Sequence, residues 1–294
     1  MIKESLGRRI FNVANMIILT LVAIIMLLPF INVIAGSFAT SAELMQRPLM
    51  LFPHEPTLDA YDYIFRSNTI PHALMVSITV TLIGTLVNIV MTTVMAYPLS
   101  HRTLVGRKAL LNFVLFPMLF SGGMIPQFIL IKNLGLINNM WSLILPGAIS
   151  SYNLLVIKNF FQQLPDELKD AARIDGASEM RILFQIILPL SLPVLATFSL
   201  FYAVGHWNSY FSCLLYINDA DKWTVQLVLR QLIILSSGGN VGDNSMVGEM
   251  ATVSIPKQGI KNAAIIVSTL PIVLVYPFLQ KYFAKGAMLG SVKG

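Results

Sequence analysis

The sequence predicts an all-α, polytopic membrane protein with six transmembrane helices. Hydrophobic residues fill 55% of its 294 positions and charged residues only 12%, against about a quarter in soluble domains. The mean hydropathy is +0.72. Apolar stretches long enough to cross a bilayer also recur along the chain, and a hydrocarbon core of roughly 30 Å needs about 20 helical residues.

The expected spans lie at approximately 12–36, 71–98, 108–131, 141–163, 185–215 and 262–284, within one membrane domain covering 1–294. Lys3, Arg8 and Arg9 precede the first span like the basic start of a signal peptide. No charge occurs between Arg9 and Glu43, a stretch far longer than a signal peptide's apolar region, so an uncleaved helix is expected. Six spans place both termini on the cytoplasmic side. That orientation puts thirteen basic residues inside and seven outside, mostly in two long loops, as the positive-inside rule requires. The outer loops are expected at about 39–70 and 216–260. The first carries Pro48, Pro53 and Pro56, then "YDYIF", an expected short interfacial helix. The second carries the polar, flexible stretch "SSGGNVGDN".

Several chemistries are excluded. The lone cysteine, Cys213, forbids an internal disulfide or cysteine metal cluster. His54, His72, His101 and His206 show no metal-ligand spacing, so no metal site is expected. The net charge of +6 lies in short clusters beside apolar runs, with no basic stripe of the kind that binds nucleic acid. None of the fourteen acidic residues falls in a span, whereas ion-coupled transporters place carboxylates at membrane depth. No Walker A sequence is present. If the chain transports, its energy comes from another chain; an ion-coupled secondary transporter is the alternative. An intramembrane enzyme would need a catalytic constellation at depth, which the spans lack, so no catalytic residue is assigned.

The charges concentrate in the expected cytoplasmic loop 164–184, which runs into "DAARIDGASEMRILFQIILPL" (170–190). Pro165 suits the first turn of a helix, and Asp166 and Glu167 suit its positive end. Ala171 and Ala172 offer a smooth packing face. Asp175-Gly176 closes the helix, and Ser178 caps a second one passing through Arg181. Physically this is either a compact helix-turn-helix that docks in a partner's cleft or a plain amphipathic interfacial loop.

The stretch resembles the EAA signature of permease subunits of binding-protein-dependent ABC importers. The matching positions are Asp170, Ala171, Ala172, Asp175, Gly176, Ala177, Leu188 and Pro189, with Asp170 standing where the family has Glu. "HWNSYFSCLLYI" (206–217), the C-terminal "LPIVLVYPFLQKYFAKGAMLGSVKG" (270–294) and "LLPFINVIAGSF" resemble the carbohydrate branch, close to the smaller maltose-type permease chain. Within it, the chain looks most like subunits serving pectin- or alginate-derived oligosaccharides.

This resemblance implies the type I permease fold in a bacterial cytoplasmic membrane. The partners it implies are a second homologous permease, a pair of cytoplasmic ATPases, an extracytoplasmic solute-binding protein and an oligosaccharide. ATP and Mg would reside on the ATPase, with no cofactor in this chain. Loop 164–184 becomes a coupling helix, with Glu167, Asp170, Ala171, Ala172, Asp175, Gly176, Ala177 and Arg181 as the coupling residues. Asp170 and Arg181 are expected to orient the loop through charge-assisted hydrogen bonds. For the sugar path, Trp207, Asn208 and Tyr210 fall within about one turn, with Trp207, Tyr210 and Phe211 expected on one face. Asn88 is a further polar candidate at membrane depth. Trp and Tyr also form interfacial belts, and Asn also bridges helices.

Overall fold

The computed structural model describes residues 6–47, 49–236 and 257–289. Pro48, most of the "SSGGNVGDN" stretch and the tail beyond Leu289 therefore lie outside the described residues. In chain order the helices are α1 (Leu6–Ser37), α2 (Ser41–Gln46), α3 (Asp59–Arg66), α4 (Thr69–Ser100), α5 (Arg107–Leu119) and α6 (Met124–Asn133). Two 3₁₀ turns, Met140–Leu143 and Leu145–Gly147, lead into α7 (Ser151–Gln163) and α8 (Asp166–Ile174). Then come α9 (Glu179–Ile182), a π turn (Leu183–Ile187), α10 (Leu188–Leu190), α11 (Leu192–Trp207), α12 (Phe211–Tyr216), α13 (Val225–Ser236) and α14 (Lys257–Leu289).

Among the described residues, three helices are long and apolar enough to cross a membrane: α1, α4 and the Lys257–Pro277 part of α14. They correspond to the first, second and sixth expected spans. The third, fourth and fifth are bent pairs, which brings the count to six if each pair is one span. Residues 108–131 break into α5 and α6 at 117°. Pro117 lacks the N–H that continues a helix, and Gly123, at φ +85°, leaves the helical region just before α6. Residues 141–163 bend by 52° where the 3₁₀ turns meet α7. Residues 185–215 bend by 84° between Leu190 and Leu192, flanked by Pro189 and Pro193. The last of these also stops at Trp207 and restarts at Phe211. The "YDYIF" run does form a helix, α3, whereas residues 216–260, expected as the second outer loop, contain the apolar helix α13.

The chain divides into two compact units. One comprises Met1–Pro71 and Leu229–Leu270, the other His72–Val228 and Pro271–Gly294. In the first, Ser37 Oγ and the Tyr61 hydroxyl lie 2.8 Å apart, and the Phe38 and Tyr61 rings pack with centroids at 5.1 Å. The Met50 N–H donates to Asn32 Oδ1 at 2.8 Å, fixing the loop after α2 to the end of α1. Ala35, Ala39 and Met50 form its small core.

In the second unit, the core centres on Leu154, Ile157 and Phe161 of α7 packed with Ile182, Leu183 and Ile187. Polar groups tie α4 to the broken segments. Asn88, fully buried, donates to the Gly147 carbonyl at 2.5 Å and pairs through Oδ1 with His206 Nε2 at 2.6 Å. The Tyr202 hydroxyl accepts the Ser150 N–H at 3.2 Å and shares a hydrogen bond with Thr92 at 2.9 Å. These groups satisfy backbone atoms that the break between the 3₁₀ turns and α7 would otherwise leave unpaired, a need that hydrocarbon makes acute.

Gly84 faces the His206 ring, and a Cβ there would lie 2.5 Å from Nε2. Gly84→Ala is expected to lower stability by about 1–3 kcal/mol through overpacking. Gly205→Ala, which meets nothing within 4 Å, serves as the control. Thermal unfolding in detergent should show a lower midpoint for the first and none for the second.

Candidate functional site

The loop joining α7 to the fifth segment is built by local rules. Pro165 sits at the N-cap with φ −55° and ψ 130°, one position before the expected first turn. Asp166 and Glu167 occupy that first turn, where the helix dipole favours negative charge. Asp166 accepts a 2.9 Å bond from Lys169, whose side chain is buried. That hydrogen bond and the ammonium charge hold the Asp166 carboxyl below the usual carboxylate range. The pair is intact above that range and is lost as acidification passes through the depressed value.

α8 ends in a Schellman motif. The Ala177 N–H bonds the Ala172 carbonyl at 2.9 Å, and the Gly176 N–H bonds the Arg173 carbonyl at 3.0 Å. Gly176 takes φ +79°, a conformation costly for any residue with a Cβ. Ser178 then caps α9, its Oγ accepting the Arg181 N–H at 3.3 Å. The two-helix reading of this stretch therefore agrees with the fold.

Arg173 connects the pieces. Its Nε donates to Glu179 Oε1 at 2.9 Å, its Nη1 to Asp170 Oδ1 at 3.0 Å and its Nη2 to His101 Nε2 at 3.2 Å. The Glu179 carboxylate first, and Asp170 after it, raise the Arg173 pKa further above its already high ordinary value. The other Glu179 oxygen accepts the Tyr97 hydroxyl at 2.6 Å. His101 stands edge-on to Tyr97, with ring centroids 4.8 Å apart, and its Nδ1 contacts the Tyr97 carbonyl at 3.1 Å. A proton on Nδ1 satisfies both His101 contacts. Sequence reasoning missed Tyr97, His101, Arg173 and Glu179 as a set. The one available signal was an acid-base pair six positions apart across a glycine turn.

The expected coupling residues are brought onto one loop, with two corrections. Ala171 is exposed while Ala172 packs into the core, so the alanines share no smooth face. Their spacing of one residue turns them about 100° apart around the helix. Among the described residues Arg181 makes no ion pair. Its charge-assisted bond goes to Gln185 Oε1 at 2.9 Å, in the π turn that follows α9, so it stays local and Arg173 takes the orienting role. Glu167, Asp170, Asp175 and Gly176 are exposed and Ala177 is half-buried. Between them stand bare apolar side chains, Ile174 at 86% exposure and Met180 at 60%.

The expected sugar-path cluster does not assemble. Trp207 is buried, its indole N–H without an acceptor among the described residues. The chain leaves the helix at Asn208, turning Tyr210 and Phe211 outward, so the three rings share no face. Asn88 is spent on Gly147 and His206, the helix-bridging alternative. A cavity of about 340 Å³ lies instead in the first unit, lined by Asn32, Gly36, Leu44, Arg47, Met50, Gln258 and Asn262. Carboxamides and a guanidinium of this kind pair with hydroxyl and carboxylate groups. Among the described residues, no cluster of three His, Cys, Asp or Glu side chains offers a metal site.

Apolar helices of spanning length define a multi-pass membrane protein. Residues 103–288 match the family described as the binding-protein-dependent transport system inner membrane component, and the chain belongs to that family. It is a permease subunit, not an enzyme. It is 54% identical over 286 residues to "Protein LplC" of Bacillus subtilis (strain 168), covering 97% of this chain and 96% of that protein. It is 51% identical to the polygalacturonan/rhamnogalacturonan transport system permease protein YtcP of the same organism, covering 97% and 99%. In a crystal structure of a bacterial ABC transporter involved in import of the acidic polysaccharide alginate, one chain superposes with a TM-score of 0.88. That chain is 29% identical, and the match covers 96% of this chain and all of that one.

Replacing Gly176 by Ala is expected to open the α8–α9 turn by about 1–2 kcal/mol. Trypsin cleavage at Arg173 should then quicken several-fold with the rest of the chain intact.

Proposed function

We propose that this chain forms half of the membrane pathway of an ABC importer for acidic oligosaccharides, coupled through loop 164–184 to a cytoplasmic ATPase. The observation that carries the reading is the exposed loop itself. A chain that keeps its carboxylates out of the expected spans presents, on a rigid turn, Ile174 and Met180 among Glu167, Asp170 and Asp175. An apolar centre ringed by charge is what a docked interface needs. Asp170, Ala171, Asp175, Gly176, Ala177 and Arg181 contribute to the contact surface, while Ala172 anchors it from below.

A second, homologous permease completes the pathway. A pair of ATPases supplies the energy and holds ATP and Mg, so this chain needs no cofactor. An extracytoplasmic binding protein delivers the sugar, as the family's name implies. Both termini face the cytoplasm, in keeping with the distribution of Lys and Arg. The oligosaccharide and its acidity are carried over from the pectin-polysaccharide permease relative and the alginate transporter. Trp207, Asn208, Tyr210 and Asn88 are not the groups we assign to recognition. The carboxamides and Arg47 around the first unit's cavity have the better chemistry.

The test is purification of the tagged chain from native membranes, then an ATPase assay on the eluate. An ATPase and a second permease should co-purify. Ile174→Asp, which puts a charge on the apolar centre, should release the ATPase, whereas the surface change Met45→Gln should not. Trigalacturonate or trimannuronate, presented with the binding protein, should raise hydrolysis several-fold in wild type and not in Gly176→Leu. A chain that purifies alone, or a Gly176→Leu complex stimulated as wild type, would overturn the assignment of the loop.

A further inference from the structure

Tyr97 is 6% exposed, on the last turn of α4, and its hydroxyl reaches out of the core to a carboxylate 82 positions away. A bond of 2.6 Å to an ionised oxygen is short and directional. Glu179 is thereby held from two sides, by Tyr97 through one oxygen and by Arg173 of α8 through the other. Glu179 is also the first residue of α9, from which helical turns run on to α10. Three elements thus meet at one carboxylate. Around it, His101 bridges Tyr97 and Arg173, closing a ring of polar contacts that α8 cannot leave without breaking. Below the ring, Ala172, Ile182 and Leu183 share one core cluster with Tyr97 and Leu99.

We propose that Tyr97 is the positioning residue that carries movement of the loop into the second span, acting through Glu179. The inference rests on the reading of loop 164–184 as the ATPase dock. The loop's own helices are closed by local caps and would keep their shape if freed. What fixes them to the end of α4 is the packing beneath, which is not directional, and two polar links that are: the Tyr97–Glu179–Arg173 chain and the Arg173–His101 contact. Packing permits sliding, whereas a buried hydroxyl bonded to a carboxylate resists it. A push on Ile174 therefore arrives at α4 as a pull on Tyr97.

Hydrogen–deuterium exchange on the purified complex tests this without knowledge of the cargo, using ATP, Mg and orthovanadate as the probe. In wild type, nucleotide trapping should change exchange both in the loop and in the α4 end, 95–104. In Tyr97→Phe the ATPase should stay bound and the loop should respond. The α4 response should fall about fivefold or more, with exchange before trapping unchanged. Glu179→Gln, which keeps an acceptor for Tyr97, should retain more of that response than Glu179→Ala. If the α4 end of Tyr97→Phe responds as in wild type, or if its exchange is already raised without nucleotide, the relay is refuted and Tyr97 serves only the fold. If the wild-type loop itself does not respond, the docking reading fails first, and the inference with it.

Discussion

Hydrocarbon offers no hydrogen bonds, so any backbone group released from a helix inside a bilayer must find a partner within the protein. That constraint governs the middle of this chain. Three of its apolar segments are bent, and each bend frees carbonyls and amides. At the second of them the replacements can be named: Asn88 reaches the Gly147 carbonyl, and the Tyr202 hydroxyl receives the Ser150 N–H. Thr92 and His206 then complete those two side chains. Asn88 of α4 and Tyr202 of α11 are best understood as substitutes for missing helical hydrogen bonds.

The same constraint separates what the sequence made legible from what it hid. Span positions were readable because hydropathy averages over many residues, and an average is indifferent to a bend. The breaks depend on short cues, such as Pro117 and Gly123 or Ser191 between two prolines, whose effect is settled by what packs against them. Asn88 illustrates the cost of that ambiguity: its depth was visible, its partners 59 and 118 positions away were not. The aromatic cluster failed likewise, because Asn208 ends the helix on which a common face depended.

The loop was legible for the opposite reason. Its turn is dictated by neighbours: Pro165 before the helix, Gly176 after it and Ser178 at the next cap. These act over three or four residues and need no tertiary context. Which way the finished loop faces is another matter, decided by Ala172 on the buried side and by the reach of Arg173 to Glu179. A stretch can therefore announce its own shape and still conceal its attachments.

The bent pair of α5 and α6 has a consequence for how the protein is made. Its arms have 13 and 10 residues, or about 20 Å and 15 Å of helix at 1.5 Å per residue. Neither matches the hydrocarbon thickness, and neither is the kind of segment an insertion channel releases sideways by partition alone. Integration of residues 107–133 must await both arms, and with them enough of the following chain to cover the peptide groups at the bend. Biogenesis of this subunit is accordingly tied to assembly beside the insertion machinery rather than to the stepwise delivery of one finished helix after another.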